Sequence, residues 1–207
     1  MKMIPFLIGN PMITACIWVV MYIFDYSATL WFSRLYRQSL SRHFTYEGGV
    51  EMNPLFEQDV AGLRLVSPRF LVLLSLMSAL LIFFGWLGPL AGNFEFIVGA
   101  FLLLWMFIDL RHIRNLYFHL HLKNRPESVE GHIKQSYWLN QRLLSYDAFK
   151  FGAVYGLAWL ASGQQFFLGG MFVCFVLALR HFFLANRKPK VSVSPESHII
   201  RNETPVS

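Results

Sequence analysis

The chain has 207 residues, 55% of them hydrophobic, 17% aromatic and only 14% charged, with a mean hydropathy of +0.43 and a formal net charge of +6. A soluble domain carries about 25% charged residues, so this composition belongs to a membrane protein and argues against an ordinary water-soluble domain. In a soluble chain the positive balance would suggest nucleic acid; here it is explained by membrane topology, and the expected partner is the lipid bilayer.

Residues 1–10 form a short apolar lead, and Pro11 is placed to open a helix, since proline suits the first helical turn. With Lys2 but no small-residue cleavage site, the first apolar segment reads as a retained helix, not a removed signal peptide. The first span covers about 12–32, and its pattern continues to about Tyr36. Residues 33–69 make a polar connection with turn signals at Gly48-Gly49 and Asn53-Pro54. A short interfacial helix is expected through Phe56, Val60 and Leu63. The second span covers 70–87, closed by a turn at Gly88-Pro89 and Gly92-Asn93. The third covers 94–110, with helix continuing to His121 and ending at Asn124-Arg125-Pro126. Ser128 is placed to cap the next helix, whose amphipathic early part precedes a fourth span at 148–161. The polar stretch 111–147 is thus a second connection on the side of the first. Ser162-Gly163-Gln164-Gln165 is a turn, and the fifth span covers 166–184. Residues 1–187 therefore read as one five-helix membrane domain, and 188–207 as a disordered tail. Cys16 and Cys174, far apart and in apolar runs, read as buried free thiols.

Charge orients the bundle. Arg34, Arg37, Arg42, Arg64 and Arg69 lie between spans one and two. Arg111, Arg114, Lys123, Arg125, Lys134, Arg142 and Lys150 lie between spans three and four. Arg180, Arg187, Lys188, Lys190 and Arg201 lie at or beyond the end of span five, leaving Lys2 for the opposite side. The positive-inside rule then predicts an all-α, five-span bundle in a cytoplasmic (inner) membrane, N-terminus outside and C-terminus inside.

Under that topology Asp25, Thr29, Glu51, Asn53, Asp109, His112, His119 and Asp147 gather near the inner face. At about 100° per residue, Trp18, Tyr22, Asp25, Thr29 and Tyr36 share one stripe of the first helix, and Asp109, His112, Leu116 and His119 share one arc of the third. At about 1.5 Å per residue, Asp25 lies roughly 20 Å in from Pro11. A carboxylate at that depth is costly and needs a partner or a function. Asp25 and Glu51 are the candidate bases. Asp25, Glu51, Asp109 and His112 are candidate ligands for Zn, Mn or Fe, with Thr29, Asn53 and His119 in support. The plainer readings are that Asp25 pairs with Arg34 or His112, that Asp147 and Lys150 form an ion pair, that His119 sits solvated at headgroup level, and that Arg180-His181 is a membrane anchor. No phosphate-binding glycine loop, His-Glu-x-x-His, Gly-x-Ser-x-Gly or Cys-x-x-Cys occurs.

Asp25-x-x-x-Thr29 followed by Glu51-x-Asn53-Pro54 resembles an uncharacterised prokaryotic integral-membrane family with Asp-x-x-x-Thr in its first helix and Glu-x-Asn-Pro after it. The resemblance covers about thirty residues and implies only that these positions belong together. The leading expectation is an inner-leaflet carboxylate and histidine cluster that binds a cation or does acid–base chemistry on a membrane-associated substrate. The alternatives are a small proton- or cation-coupled transporter and a non-catalytic assembly subunit, each open to homo-oligomerisation. Thr14, Ser75, Ser78 and Gln164 are the main polar residues of the outer halves, few for a transport path.

Overall fold

The computed structural model describes residues 3–47, 55–91 and 93–187. A short helix α1 (Met3–Gly9) leads into α2 (Pro11–Gln38). A one-turn helix α3 (Glu57–Ala61) precedes α4 (Pro68–Ala91), followed by α5 (Phe94–Asn124), α6 (Tyr137–Ser162) and α7 (Gln165–Ala185). Among the described residues α2, α5 and α7, together with Pro68–Gly88 of α4, are long and apolar enough to cross a membrane. The fold is thus an all-α membrane bundle, with one small sheet that the sequence did not announce. Helix α6 has the length but not the apolarity, because Arg142, Asp147 and Lys150 occupy its first half.

Local chemistry sets the helix ends. Pro11 opens α2 with its fixed φ. Gly163 takes a left-handed φ of 68° and gives its N–H to the Trp159 carbonyl at 2.7 Å, which turns α6 tightly into α7. Two expected boundaries move. Helix α4 continues to Ala91 through Gly88-Pro89, although proline has no N–H to give the carbonyl one turn back. Helix α6 is capped by Ser136, whose hydroxyl accepts the Leu139 N–H at 3.2 Å. Ser128 instead closes a 3-10 turn (Pro126–Ser128).

An aromatic stack joins the first helices. Trp18 lies on Tyr22 at 5.1 Å between ring centroids, Tyr22 on Phe70 at 5.0 Å and Phe70 on Tyr26 at 4.6 Å, with Trp105 of α5 edge-on to Trp18 at 5.6 Å. This buries the predicted stripe of α2 against protein. Helices α5 and α7 cross with almost no side chain between them. A Cβ on Gly99 would strike the backbone carbonyl of Phe166, and one on Gly169 that of Phe96. Small residues allow this approach where lipid offers no hydrophobic drive for helix association. Cys174 is buried and free as expected. Cys16 is also free, but it lies on the exposed face of α2.

At the arginine-rich end the two long connections meet. Strand β1 (Phe44–Tyr46) pairs in parallel with β2 (Ile133–Gln135), in the register Phe44 to Ile133, Thr45 to Lys134 and Tyr46 to Gln135. Ile133 N–H donates to the His43 carbonyl at 2.8 Å, Glu47 N–H to that of Gln135 at 3.0 Å, and Lys134 Nζ pairs with Glu47 at 2.8 Å. The hydrogen bond from Lys134 holds the exposed Glu47 carboxyl below its ordinary pKa. Beneath the clasp Leu35, Leu40, Phe44 and Leu122 form a second core, separate from the aromatic stack.

The glycine crossing makes a sharp prediction. Gly169→Ala gains about 1 kcal/mol of helix propensity but forces α5 and α7 apart, and overpacking of this kind costs about 1–3 kcal/mol. Thermal unfolding in detergent should show a lowered midpoint for Gly169→Ala and little change for Gly9→Ala, where an added Cβ meets open space. Equal midpoints for both variants would contradict the close crossing.

Candidate functional site

Helices α2 and α5 bring the first pair together. Asp25 lies on the inward stripe of α2 with Trp18 and Tyr22, and His112 lies on the α5 face that carries Asp109. Asp25 Oδ1 and His112 Nε2 are 2.9 Å apart, with the side chains 23% and 18% exposed. Of the two partners expected for Asp25, the structure chooses His112. A carboxylate facing an imidazole at this distance accepts a hydrogen bond, and the pair can hold or pass a proton.

Asp109 lies three residues before His112 on α5, a spacing that places both on the same helix face. It is 9% exposed, and its Oδ1 has no hydrogen-bond partner among the described residues. One turn further in, at the i−4 position, is Trp105, whose Nε1 is likewise buried and unpartnered, as is that of Trp18 across the seam. Buried polar atoms are normally satisfied, so three orphans on one helix seam need an explanation. The Asp25–His112 pair therefore stands above a polar seam that has unused donors and an unused acceptor.

The remaining candidates separate from this pair. Thr29 is buried on α2 one turn beyond Asp25. Glu51 and Asn53 lie outside the described residues. His119 is not solvated at headgroup level: it is buried in the second core, because the β1–β2 clasp folds Tyr46 over it. Its Nδ1 is 2.5 Å from the Asn115 carbonyl, which can only accept, so Nδ1 carries the hydrogen. The Tyr46 hydroxyl then donates to Nε2 at 3.1 Å. Burial pushes the Tyr46 hydroxyl up to about 12, which keeps it a donor. Phe32 and Phe44 border the ring at 4.5 and 6.1 Å. Sequence spacing had placed His119 on the right helix face, seven residues too far along the axis to join His112.

Asp147 pairs with Lys150 at 2.8 Å as its i, i+3 spacing suggests, and also with Arg114 of α5 at 3.0 Å, so it ties α5 to α6. His181 is more than a membrane anchor, since its Nδ1 is 2.6 Å from Gln141 Oε1 of α6. A cluster missed at the sequence level surrounds Asp59 on α3. Buried at 4% exposure, Asp59 accepts from the Ser67 hydroxyl at 2.5 Å and from Arg64 at 3.2 Å, and the Arg64 carbonyl in turn accepts from Tyr26 of α2 at 2.7 Å. The available signal was an acid between Phe56 and Val60, next to Glu57 and Gln58. The two bonds to Asp59 tie α3 to the segment that follows it, and the Tyr26 bond fastens that segment to α2.

Among the described residues no group of three His, Cys, Asp or Glu side chains is arranged to hold a metal ion. His112 Nε2 is directed at Asp25. In comparisons with known proteins, no family model, no curated protein and no solved structure matches the chain.

The pair's energetic role can be measured by a double-mutant cycle. Asp25→Asn and His112→Gln should each cost about 1–3 kcal/mol, as expected for a hydrogen bond to a charged group that is largely withdrawn from water. The double variant should lose less than the sum, leaving a coupling energy of about 0.5–3 kcal/mol. Additive losses in detergent unfolding would mean the two side chains do not interact.

Proposed function

We propose that the chain is a five-span inner-membrane protein, with α6 as the span between α5 and α7, its N-terminus outside and its C-terminus inside. Its working part is a proton-handling carboxylate and imidazole site made of Asp25, His112 and Asp109, opening toward the inner leaflet. The distribution of Lys and Arg supports the orientation. The site reading rests on one observation: the buried, unpartnered Asp109 Oδ1 beside the Asp25–His112 pair. A purely structural ion pair explains Asp25 and His112 but leaves Asp109 without a reason.

In this reading Asp25 is the acceptor that orients the His112 imidazole. His112 is the group that exchanges a proton with a membrane-associated substrate or with the inner aqueous phase. Asp109 is the second acid of the relay. A divalent cation at this site would draw on Asp25, Asp109 and Glu51 rather than on His112 Nε2. The outer halves argue for chemistry at the inner leaflet rather than a transmembrane path. There the Thr14 hydroxyl donates to the Leu7 carbonyl at 2.8 Å and the Ser78 hydroxyl to that of Leu74 at 2.7 Å, so these groups serve the backbone.

Infrared difference spectroscopy across a pH step tests the site. The reconstituted protein should show a carboxyl band that changes with pH and is lost or altered in both Asp109→Asn and Asp25→Asn. The buried Asp59→Asn, which lies outside the relay, should leave that band in place. Identical difference spectra for wild type, Asp25→Asn and Asp109→Asn would refute proton handling here. Elemental analysis of the same samples reads the cation alternative: stoichiometric metal lost in both site variants would replace the relay with a metal centre.

A further inference from the structure

Helices α6 and α7 carry a feature that the proton site does not use. Near their arginine-bearing ends, where Ser145 Oγ donates to the Ala178 carbonyl at 2.8 Å, the side chains of α6 and α7 flank a surface groove of about 570 Å³. Phe149 of α6 and Phe175, Leu179 and Phe182 of α7 make its apolar walls, and the small Ala178 lies at its base. Phe149, Leu179 and Phe182 are among the exposed large hydrophobic residues, so the groove opens toward the surrounding medium, away from the bundle.

Arg142 lines one end. Its guanidinium lies on the Phe182 ring at 4.3 Å and near Trp138 at 5.4 Å, and it donates to Asn186 Oδ1 at 3.0 Å. Its Nε is buried without a hydrogen-bond partner among the described residues, and no carboxylate there pairs with it. Arg111 and Arg180 lie close enough to act electrostatically on the neighbouring His181. Arg142 is therefore a cation at this end of the groove with no paired carboxylate among the described residues.

Depth fixes what can fill it. Twenty residues separate Arg142 from Ser162 at the far end of α6. At about 1.5 Å each they span about 30 Å, the thickness of a hydrocarbon core. Arg142 thus stands at headgroup level while the apolar walls run into the acyl region. A pocket of this size, largely apolar with Arg142, Ser145 and Tyr146 as its polar lining, has the general character of a small-molecule site.

We infer that the α6–α7 groove binds an anionic phospholipid, its phosphate on Arg142 and one acyl chain lying along the groove over Phe149 and Phe175, whose rings touch at 5.5 Å between centroids. Arginine suits the phosphate because its planar fork offers several donors, and stacking on Phe182 holds the fork in place. The chain lies against Ala178, where the absence of a larger side chain leaves room for it.

Native mass spectrometry of the purified protein with added phosphatidylglycerol or phosphatidylcholine provides the test. Wild type should retain phosphatidylglycerol roughly fivefold better than phosphatidylcholine, the preference expected from one arginine facing an anionic headgroup. Arg142→Gln should bring the two lipids to equal retention. Leu179→Trp, a change at an exposed wall, should lower retention of both by narrowing the groove. Melting temperatures of the lipid-free variants, measured in parallel, should stay near wild type, which separates loss of the site from loss of the fold. Equal retention of the two lipids by wild type, or an unchanged preference in Arg142→Gln, would overturn the proposal. So would a lipid-free dimer whose second copy covers the groove.

Discussion

An acid about midway along a long, largely apolar helix constrains everything packed around it. Asp25 cannot face lipid at reasonable cost, so α2 must turn its Asp25 stripe toward protein. That rotation also turns Trp18 and Tyr22 inward, where they stack with Phe70 and meet Trp105. The partner that satisfies Asp25 comes from α5, and His112 reaches it only if α5 is set at the matching depth and rotation. One hydrogen-bonded pair thus fixes the register of the two longest helices. The aromatic stack supplies bulk attraction but tolerates sliding, whereas a 2.9 Å contact between a carboxylate and an imidazole does not.

The rest of the molecule supports that register from both sides. On one side Gly99 and Gly169 let α7 approach the back of α5 at backbone contact. Asp147 then links α6 to α5 through Arg114. On the other side, beyond the membrane-spanning part, the β1–β2 clasp joins the two polar connections and covers His119 with Tyr46. Within this frame Asp109 Oδ1 and the two indole nitrogens have no hydrogen-bond partner among the described residues.

Much of this was readable from residue spacing alone. The Asp25 stripe, the shared face of Asp109 and His112, the Asp147–Lys150 pair and the long α5 follow from helical periodicity, which survives into the folded state because membrane helices must satisfy their own backbones. The misreadings arose where tertiary context overrides local rules. Ser128 and Ser136 are both plausible caps, and the choice between them depends on residues 133–135 pairing with a strand 89 positions earlier. His119 looks solvent-facing until that pairing places Tyr46 over it. Asp59 looks like one more loop acid because its partner Ser67 and the Tyr26 hydroxyl that anchors Arg64 come from other elements. Cys16 sits in an apolar run, yet the rotation imposed by Asp25 directs it outward. Glu51 and Asn53, central to the motif reading, lie outside the described residues.

The central claim is that Asp25 and His112 meet across α2 and α5. Nitrogen NMR of protein labelled only at its seven histidines reads this most directly. The His112 ring resonances, assigned by loss in His112→Gln, should shift when Asp25 becomes Asn, because Nε2 loses a charged acceptor. Those of His43 and His132, which face backbone carbonyls of the distant clasp, should not. A His112 spectrum that does not change in Asp25→Asn would contradict the account.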